Sequence, residues 1–247
     1  PNLTRLFAEL SVETVGSNMS FGVSTGRVEY SGTGLDGLFA QRRNLFRPRF
    51  WSMLLDLVRF YREAGRLRPQ TGTTLNELLR AGGYSRALAE DHLLPMMAAI
   101  WSTDAGSVGD MEASAFLEFF TNHGLLQFRG RPQWRTVVGG SRTYVDAILS
   151  EPGVSLETGV RIHTIERMTD GVRLVARDGV RQFDEVVLAV HAPDALSLLA
   201  VPSHAELELL EPFRYTPSTA WLHTDATLMP RRRRAWASWN YLTAADG

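Results

Sequence analysis

The sequence contains no cysteine and no lysine, and all 26 of its basic residues are arginine. Without cysteine, the chain has no disulfide, no thiol nucleophile, no cysteine-ligated zinc and no thioether link to a cofactor. Without lysine, it has no Schiff-base amine and no lysine for a phosphate loop. These absences exclude several kinds of catalysis for the side chains of this chain.

Long apolar runs and an excess of charge of one sign are also missing. The formal net charge is −1 and the sequence pI is about 6.7, so no overall field attracts nucleic acid. No apolar run approaches the ~18 residues of a membrane span, and no signal-peptide pattern opens the chain. We therefore predict no nucleic-acid partner, no transmembrane segment and a cytoplasmic location. The chain starts at Pro1 inside an amphipathic pattern, and we expect it to be part of a longer protein.

Residues 1–131 carry mostly helical patterns, with one predicted hairpin at 19–30. The strongest helix is predicted at 48–63, where a proline starts a run with apolar residues at helical spacing. A second helix at 85–101 should kink at Pro95, and a third should end at Gly124. The chain has 44% hydrophobic residues in 247, which is enough for one large core or two small ones.

Residues 133–199 show a different pattern of strands and glycine turns, closed by a helix that starts at a proline. Residues 186–190 are continuously apolar, which predicts a strand buried on both faces. His191 follows that strand, and open α/β sheets bind ligands beyond the carboxyl ends of their strands. This part of the chain is therefore a candidate piece of a nucleotide-cofactor fold. Further strands are predicted at 218–223 and 236–241.

Several glycine motifs and short strands allow two interpretations. The run from Gly32 to Gly37 matches GxGxxG, but bulky residues follow it and no acid appears until Asp56, so we interpret it as a turn-rich loop. Gly139 and Gly140 precede a helix, where they could present N–H groups to a phosphate or form a tight turn. The strand 162–165 could pair its main chain with an adenine edge or be an ordinary meander strand.

The roles of several histidine, arginine and tryptophan side chains also allow two interpretations. His191 could touch a cofactor or substrate, or be structural. His123 and His223 have no second ligand at metal-binding spacing, so we predict no metal site. Four arginines at 231–234 could meet an anionic lipid headgroup or lie in a solvated loop. Tryptophans, Trp134 and Trp239 among them, could line an apolar pocket or pack in a core.

Three segments together, at 134–145, 160–179 and 184–196, resemble the flavin-containing amine oxidoreductase superfamily, which includes monoamine oxidases, protoporphyrinogen oxidases and phytoene-desaturase-like enzymes. They carry a GG before a helix, a V-x-x-I strand, a hairpin with a glycine turn, and D-x-V-V-x-A. More narrowly, the whole chain resembles bacterial predicted NAD/FAD-binding proteins of this group. The resemblance implies FAD as cofactor. It places the main chain of Ile162 at the adenine, and Ala189 and Val190 at a strand end near the cofactor. His191 stands where many relatives have proline or a small residue.

The resemblance also implies an α/β (α+β-like) fold, as part of a two-domain FAD-linked oxidoreductase. We expect residues 1–131 on the substrate side, 132–200 in the FAD-binding domain, and 201–247 returning to the substrate domain as strands. The family's opening GxGxxG, its ribose-binding Glu and its closing flavin segment are not in this sequence. We expect an interior fragment that is inactive alone.

The implied reaction is hydride transfer to flavin from a small amine or apolar substrate. One alternative is a lipid- or fatty-acyl-modifying flavoenzyme with peripheral membrane contact, and another is a non-catalytic remnant of the fold. The sequence singles out no catalytic side chain.

Overall fold

The computed structural model describes residues 2–103, 105–127, 130, 132–215 and 217–243. The chain divides into two compact units. The meander unit comprises Pro1–Val12 and Ser141–Pro217, and the helical unit comprises Glu13–Gly140 and Ser218–Gly247. These boundaries differ from the predicted ones at 131/132 and 200/201, and the roles assigned to the parts stay predictions.

Helices and short strands alternate along the described residues. The helices are α1 Asn2–Glu9, α2 Leu35–Leu38, α3 Pro48–Glu63, α4 Leu75–Ala81, α5 Arg86–Leu88, α6 Leu94–Trp101, α7 Ala105–Val108, α8 Ala113–Asn122, α9 Arg142–Leu149, α10 Ala192–Leu198 and α11 His204–Leu210. The strands are β1 Thr14–Gly16, β2 Phe21–Ser24, β3 Glu29–Ser31, β4 Arg135–Val137, β5 Ile162–Met168, β6 Gly171–Ala176, β7 Gly179–Phe183 and β8 Trp239–Leu242. In the part of the chain that is described, no helix is long and apolar enough to cross a bilayer.

The helical unit is built around α3, α6 and α8. The predicted bounds of α3 match the structure, with Pro48 in the first turn, where its missing N–H costs no hydrogen bond. Thr74 caps α4 in a reciprocal capping box with Glu77. The main core joins fully buried side chains of α3, α4, α6 and α8, and its largest members are Phe60, Phe116 and Phe120.

A kink was predicted at Pro95, and the structure has a π-helical turn, Ala89–Leu93, just before it, between α5 and α6. Proline has no N–H to donate to the carbonyl oxygen four residues earlier, which belongs to Asp91. That oxygen instead accepts a hydrogen bond from the Tyr30 hydroxyl at 2.8 Å. The wider turn therefore leaves a main-chain acceptor for a side chain from another element.

Two small sheets belong to the helical unit. One has the order β3-β2-β8, with an antiparallel β2–β3 hairpin, as predicted, and β8 parallel to β2. The other pairs β1 with β4, antiparallel. Gly22 in β2 admits no side chain, because an added Cβ would lie 2.6 Å from the Ala235 carbonyl oxygen.

The meander unit holds the antiparallel sheet β5-β6-β7. The outer edge of β5 is partly covered, since Ala200 N–H donates to the Ile165 carbonyl oxygen at 3.0 Å. Helix α10 packs against β5 and α11. Arg167 on β5 forms an ion pair with Glu206 on α11. The predicted mixed helix-and-strand fold class is confirmed.

The predicted buried strand at 186–190 is wrong. These residues lie outside every strand, Val187 is 91% exposed, and Val190 is 50% exposed. An apolar run shows that a segment favours burial, but burial needs other elements to cover it, and the described residues supply no pairing strand. The strand predicted at 218–223 is absent for the same reason, and Trp221 is exposed.

Candidate functional site

An apolar pocket lies in the helical unit where the β2–β8 edge meets α6 and α8. Its cavity volume is about 90 Å³, so the pocket is small. Most of the wall is hydrocarbon or aromatic surface, and one lining side chain is titratable. The lining residues are Met19, Ser20, Phe21, Met96, Ile100, Phe119, His123, Leu125, Trp134 and Trp239.

Secondary structure explains how these side chains meet. Met96 and Ile100 are four residues apart on α6, so they share one face of that helix. Phe21 and Trp239 are opposite each other in the parallel β2–β8 pair. Trp134 immediately precedes β4, and its carbonyl oxygen accepts from the Ser17 N–H at 2.8 Å. The pocket is thus assembled from residues that are far apart in sequence.

His123 is held at the end of α8. It follows the last helical residue, and Gly124 behind it adopts φ 64°, the left-handed conformation that ends helices. The imidazole stacks on Phe119 at 4.0 Å between ring centroids and on Trp134 at 6.1 Å. Its Nδ1 is 2.8 Å from the Phe119 carbonyl oxygen. Two rings and one hydrogen bond therefore fix the orientation of the ring.

A wider and more polar cleft of about 730 Å³ adjoins the apolar pocket. Main-chain groups and the Gln133 amide contribute to its wall, and that amide donates to the carbonyl oxygens of Ser17 and Trp134. Five residues line both spaces, so the pocket opens into the cleft where they lie. They are Met19, Ser20, His123, Leu125 and Trp134.

A buried polar network supports the pocket from inside the helical unit. Arg49 donates two hydrogen bonds to the buried Asp91 carboxylate, at 2.7 and 3.1 Å, and these bonds raise the arginine pKa. The Tyr30 hydroxyl lies 2.7 Å from His92 Nδ1. Burial raises the pKa of the Tyr30 phenol well above its usual value, and the Asp91 charge adds to the effect. His92 meets the pocket residue Phe21 edge to face at 6.3 Å.

The arginine run at 231–234 has partners inside the helical unit. Arg232 pairs with Glu29, whose side chain is 4% exposed, and Glu29 also accepts from the Arg232 main-chain N–H at 3.1 Å. Arg233 lies over the Trp236 ring at 5.7 Å, and Arg234 is 4.0 Å from Asp36. At least three of the four charges therefore have intramolecular contacts.

The predicted cofactor residue Ile162 is the first residue of β5, in the meander unit. Arg161 on its N-terminal side accepts from the Arg177 N–H at 3.0 Å. Because main-chain groups alternate in direction along a strand, the N–H and C=O of Ile162 then point to the outer edge of β5. The register shift between Ile162 and Thr164 marks a bulge at this point.

The other three predicted residues lie on the segment leading into α10. Ala189 and Val190 are exposed and outside any strand. His191 is the N-cap residue of α10 without a side-chain capping bond, and its ring stacks on Tyr215 at 4.2 Å. The four residues predicted from the sequence therefore belong to the meander unit, whereas the residues of the apolar pocket belong to the helical unit.

Comparison with known proteins identifies the family. A family model described as flavin containing amine oxidoreductase matches residues 1–232. The chain belongs to this family. The resemblance inferred from the sequence is therefore confirmed, and no curated protein matches the chain.

Solved structures show the same fold at low sequence identity. A redesigned putrescine oxidase aligns with TM-score 0.58 and 14% identity, over 85% of this chain and 49% of its own. Cyclohexylamine oxidase from Brevibacterium oxydans IH-35A gives 0.55 and 17%, over 85% and 49%. A fatty acid isomerase producing CLA from P. acnes gives 0.52 and 13%, over 85% and 48%. The chain spans about half the length of each of these three proteins.

Proposed function

We propose that the protein is a flavin-dependent oxidoreductase that removes a hydride from a small amine or apolar substrate. The family match over residues 1–232 carries this proposal. A bound flavin would supply the hydride acceptor. The chain's own residues would bind and orient the two molecules.

The meander unit is proposed as the cofactor side. The main-chain N–H and C=O of Ile162 are directed to the outer edge of β5, away from β6, where they have the donor and acceptor pattern that an adenine edge requires. This end of the outer edge therefore suits the adenine part of FAD. Ala189, Val190 and His191 are proposed as further cofactor contacts, because their segment is exposed and leads into α10, which packs against β5.

The helical unit is proposed as the substrate side. Its apolar pocket of about 90 Å³ opens into a more polar cleft of about 730 Å³, so the two spaces together offer an apolar end and a polar end to a bound molecule. The hydrocarbon wall would exclude water from the bound substrate, which strengthens any polar interaction made there. No step needs a lysine or cysteine, which the sequence lacks.

The membrane-surface alternative receives less support. Its arguments were the arginine run and the aromatic helices. Of the arginines, Arg232, Arg233 and Arg234 are engaged by Glu29, Trp236 and Asp36. The other alternative is a non-catalytic remnant of the fold. A measurement of the flavin bound to the protein distinguishes this remnant from the enzyme.

The test is the visible absorption spectrum of the protein purified from the cells that make it. A flavin spectrum supports the proposal. If the protein carries no flavin and binds no added FAD in calorimetry, the proposal is refuted.

A variant pair tests the adenine contact separately. Ile162→Pro removes one N–H at the first residue of a strand, where proline is tolerated. It should weaken FAD binding about 3- to 10-fold, the effect of one neutral hydrogen bond. Ile162→Val keeps the main chain and serves as the control. Equal FAD affinity for the two variants would rule out the contact.

A further inference from the structure

His123 is a polar group on the wall of an otherwise largely apolar pocket. It lines both the pocket and the adjoining cleft, so it lies where the two join. Ile100 and Leu125 around the pocket have no side-chain hydrogen-bonding group, and Met96 has only a weakly accepting sulfur. A ligand held among them meets few polar partners, and the imidazole is one of these.

The hydrogen bond at Nδ1 determines which nitrogen of the ring carries the proton. A carbonyl oxygen only accepts, so Nδ1, 2.8 Å from the Phe119 oxygen, must be the donor. The neutral imidazole then has its lone pair on Nε2. Across the described residues, His123 makes its hydrogen bond through Nδ1, and none is found at Nε2. With Nδ1 turned to the helix end, the remaining ring edge carries Nε2.

The ring is also held in place before any ligand arrives. Phe119 stacks on it with an interplanar angle of 26° and Trp134 with an angle of 7°. A side chain that is already fixed loses little conformational entropy when it binds. An acceptor fixed beside a hydrocarbon wall suits a ligand with one donor next to an apolar body.

We propose that His123 is a substrate-binding residue whose Nε2 accepts a hydrogen bond from an N–H or O–H group of a compact apolar substrate. This inference rests on the proposed function, since it assumes that the apolar pocket is the substrate site. The inference adds to the proposed function by naming Nε2 of His123 as the atom that distinguishes a substrate with a hydrogen-bond donor from a hydrocarbon of the same shape.

The experiment uses benzyl alcohol and ethylbenzene, which differ by a hydroxyl in place of a methyl group. Dissociation constants are measured by tryptophan fluorescence, because Trp134 and Trp239 line the pocket. The buffer and its pH are the same for both probes and for all variants. The ratio of the two constants is compared between variants, so the difference in probe hydration cancels.

His123→Phe keeps an aromatic ring for stacking and removes the acceptor. It should reduce the preference for benzyl alcohol about 3- to 10-fold relative to the unmodified protein. Met96→Leu changes the apolar wall and should leave the ratio unchanged. An unchanged ratio in His123→Phe, or no binding of either probe, would overturn the proposal.

A second measurement does not depend on a variant that folds. Side-chain ¹⁵N NMR of the unmodified protein should show His123 protonated at Nδ1, with Nε2 shifting on benzyl alcohol binding but not on ethylbenzene binding. Protonation at Nε2 would refute the argument. A protein that carries flavin but shows no Nε2 response disproves this inference alone. A protein without flavin that still shows the Nε2 response refutes the proposed function, and the hydrogen bond at His123 then no longer belongs to an oxidoreductase substrate.

Discussion

Replacing Arg232 with alanine should destabilise the helical unit far more than replacing its neighbour Arg231. The Glu29 side chain is 4% exposed and accepts from the Arg232 guanidinium, from the Arg232 main-chain N–H at 3.1 Å and from the Ser24 hydroxyl at 3.3 Å. Alanine removes the opposing charge and leaves a carboxylate buried. Arg231 is exposed and has no partner among the described residues.

The magnitude follows from the burial of the pair. Breaking a buried ion pair by removing one partner costs about 3–5 kcal/mol. The Arg232 side chain is 42% exposed and two other donors to Glu29 remain, so we expect about 2–3 kcal/mol. For a domain of this size that lowers Tm by about 5–10 °C. Arg231→Ala should stay within about 0.5 kcal/mol.

The assay is thermal and urea unfolding followed by circular dichroism. The double variant Glu29→Gln with Arg232→Ala should recover part of the loss, because the buried charge is gone. Equal melting temperatures for Arg231→Ala and Arg232→Ala would show that Glu29 does not depend on Arg232, and would return the whole run to the solvated-loop hypothesis.

Three further predictions concern groups elsewhere in the helical unit. Because burial raises the pKa of Tyr30, its phenol should ionise only well above the ordinary tyrosine range. The contribution of the neutral phenol to folding stability is therefore complete below the ordinary tyrosine pKa and is lost as the pH rises through the raised pKa of the folded protein. Alkaline titration of tyrosinate absorbance should lose one late component in Tyr30→Phe, and an unchanged titration curve would contradict this. Thr74→Ala should cost about 1 kcal/mol by removing the cap of α4. Hydrogen bonds from Thr74 lower the pKa of Glu77. The stability that the Glu77 carboxylate adds to the cap is therefore present above the ordinary glutamate pKa and is lost as the pH falls through the lowered pKa of Glu77. Urea midpoints should therefore show a smaller Thr74→Ala effect in acid, and a constant effect would refute the role of Glu77. Phe116→Ala should cost about 3–5 kcal/mol, because the side chain is fully buried in the main core, and a loss below 1 kcal/mol in urea unfolding would show a looser core.

Helices were predicted well where local chemistry is decisive. Pro48 at the start of α3 and Gly124 after α8 act through the main chain of their own neighbours. The break at Pro95 was also predicted, but its form as a π turn was not. That form depends on Tyr30, which is 61 residues from Asp91 in sequence.

The apolar pocket could not be predicted from the spacing of apolar residues in the sequence. Met96, Ile100 and Phe119 look like core residues in sequence, because a helix face that lines a cavity and one that packs in a core have the same spacing. His123 was considered only as a metal ligand. The signal that could have drawn attention to it is the sequence His-Gly at a helix end, which places a ring beside the last carbonyl groups.

By itself, the sequence determined the family resemblance, the β5–β7 meander, the main helices and the absence of lysine and cysteine chemistry. Each of these depends on residue identity or on short-range periodicity. Only the tertiary structure decided that residues 186–190 lie exposed, that Glu29 meets Arg232 across 203 residues of sequence, and that His123 stacks between Phe119 and Trp134. The physical reason is that burial and partnership are properties of what surrounds a residue, and distant parts of the chain supply those surroundings.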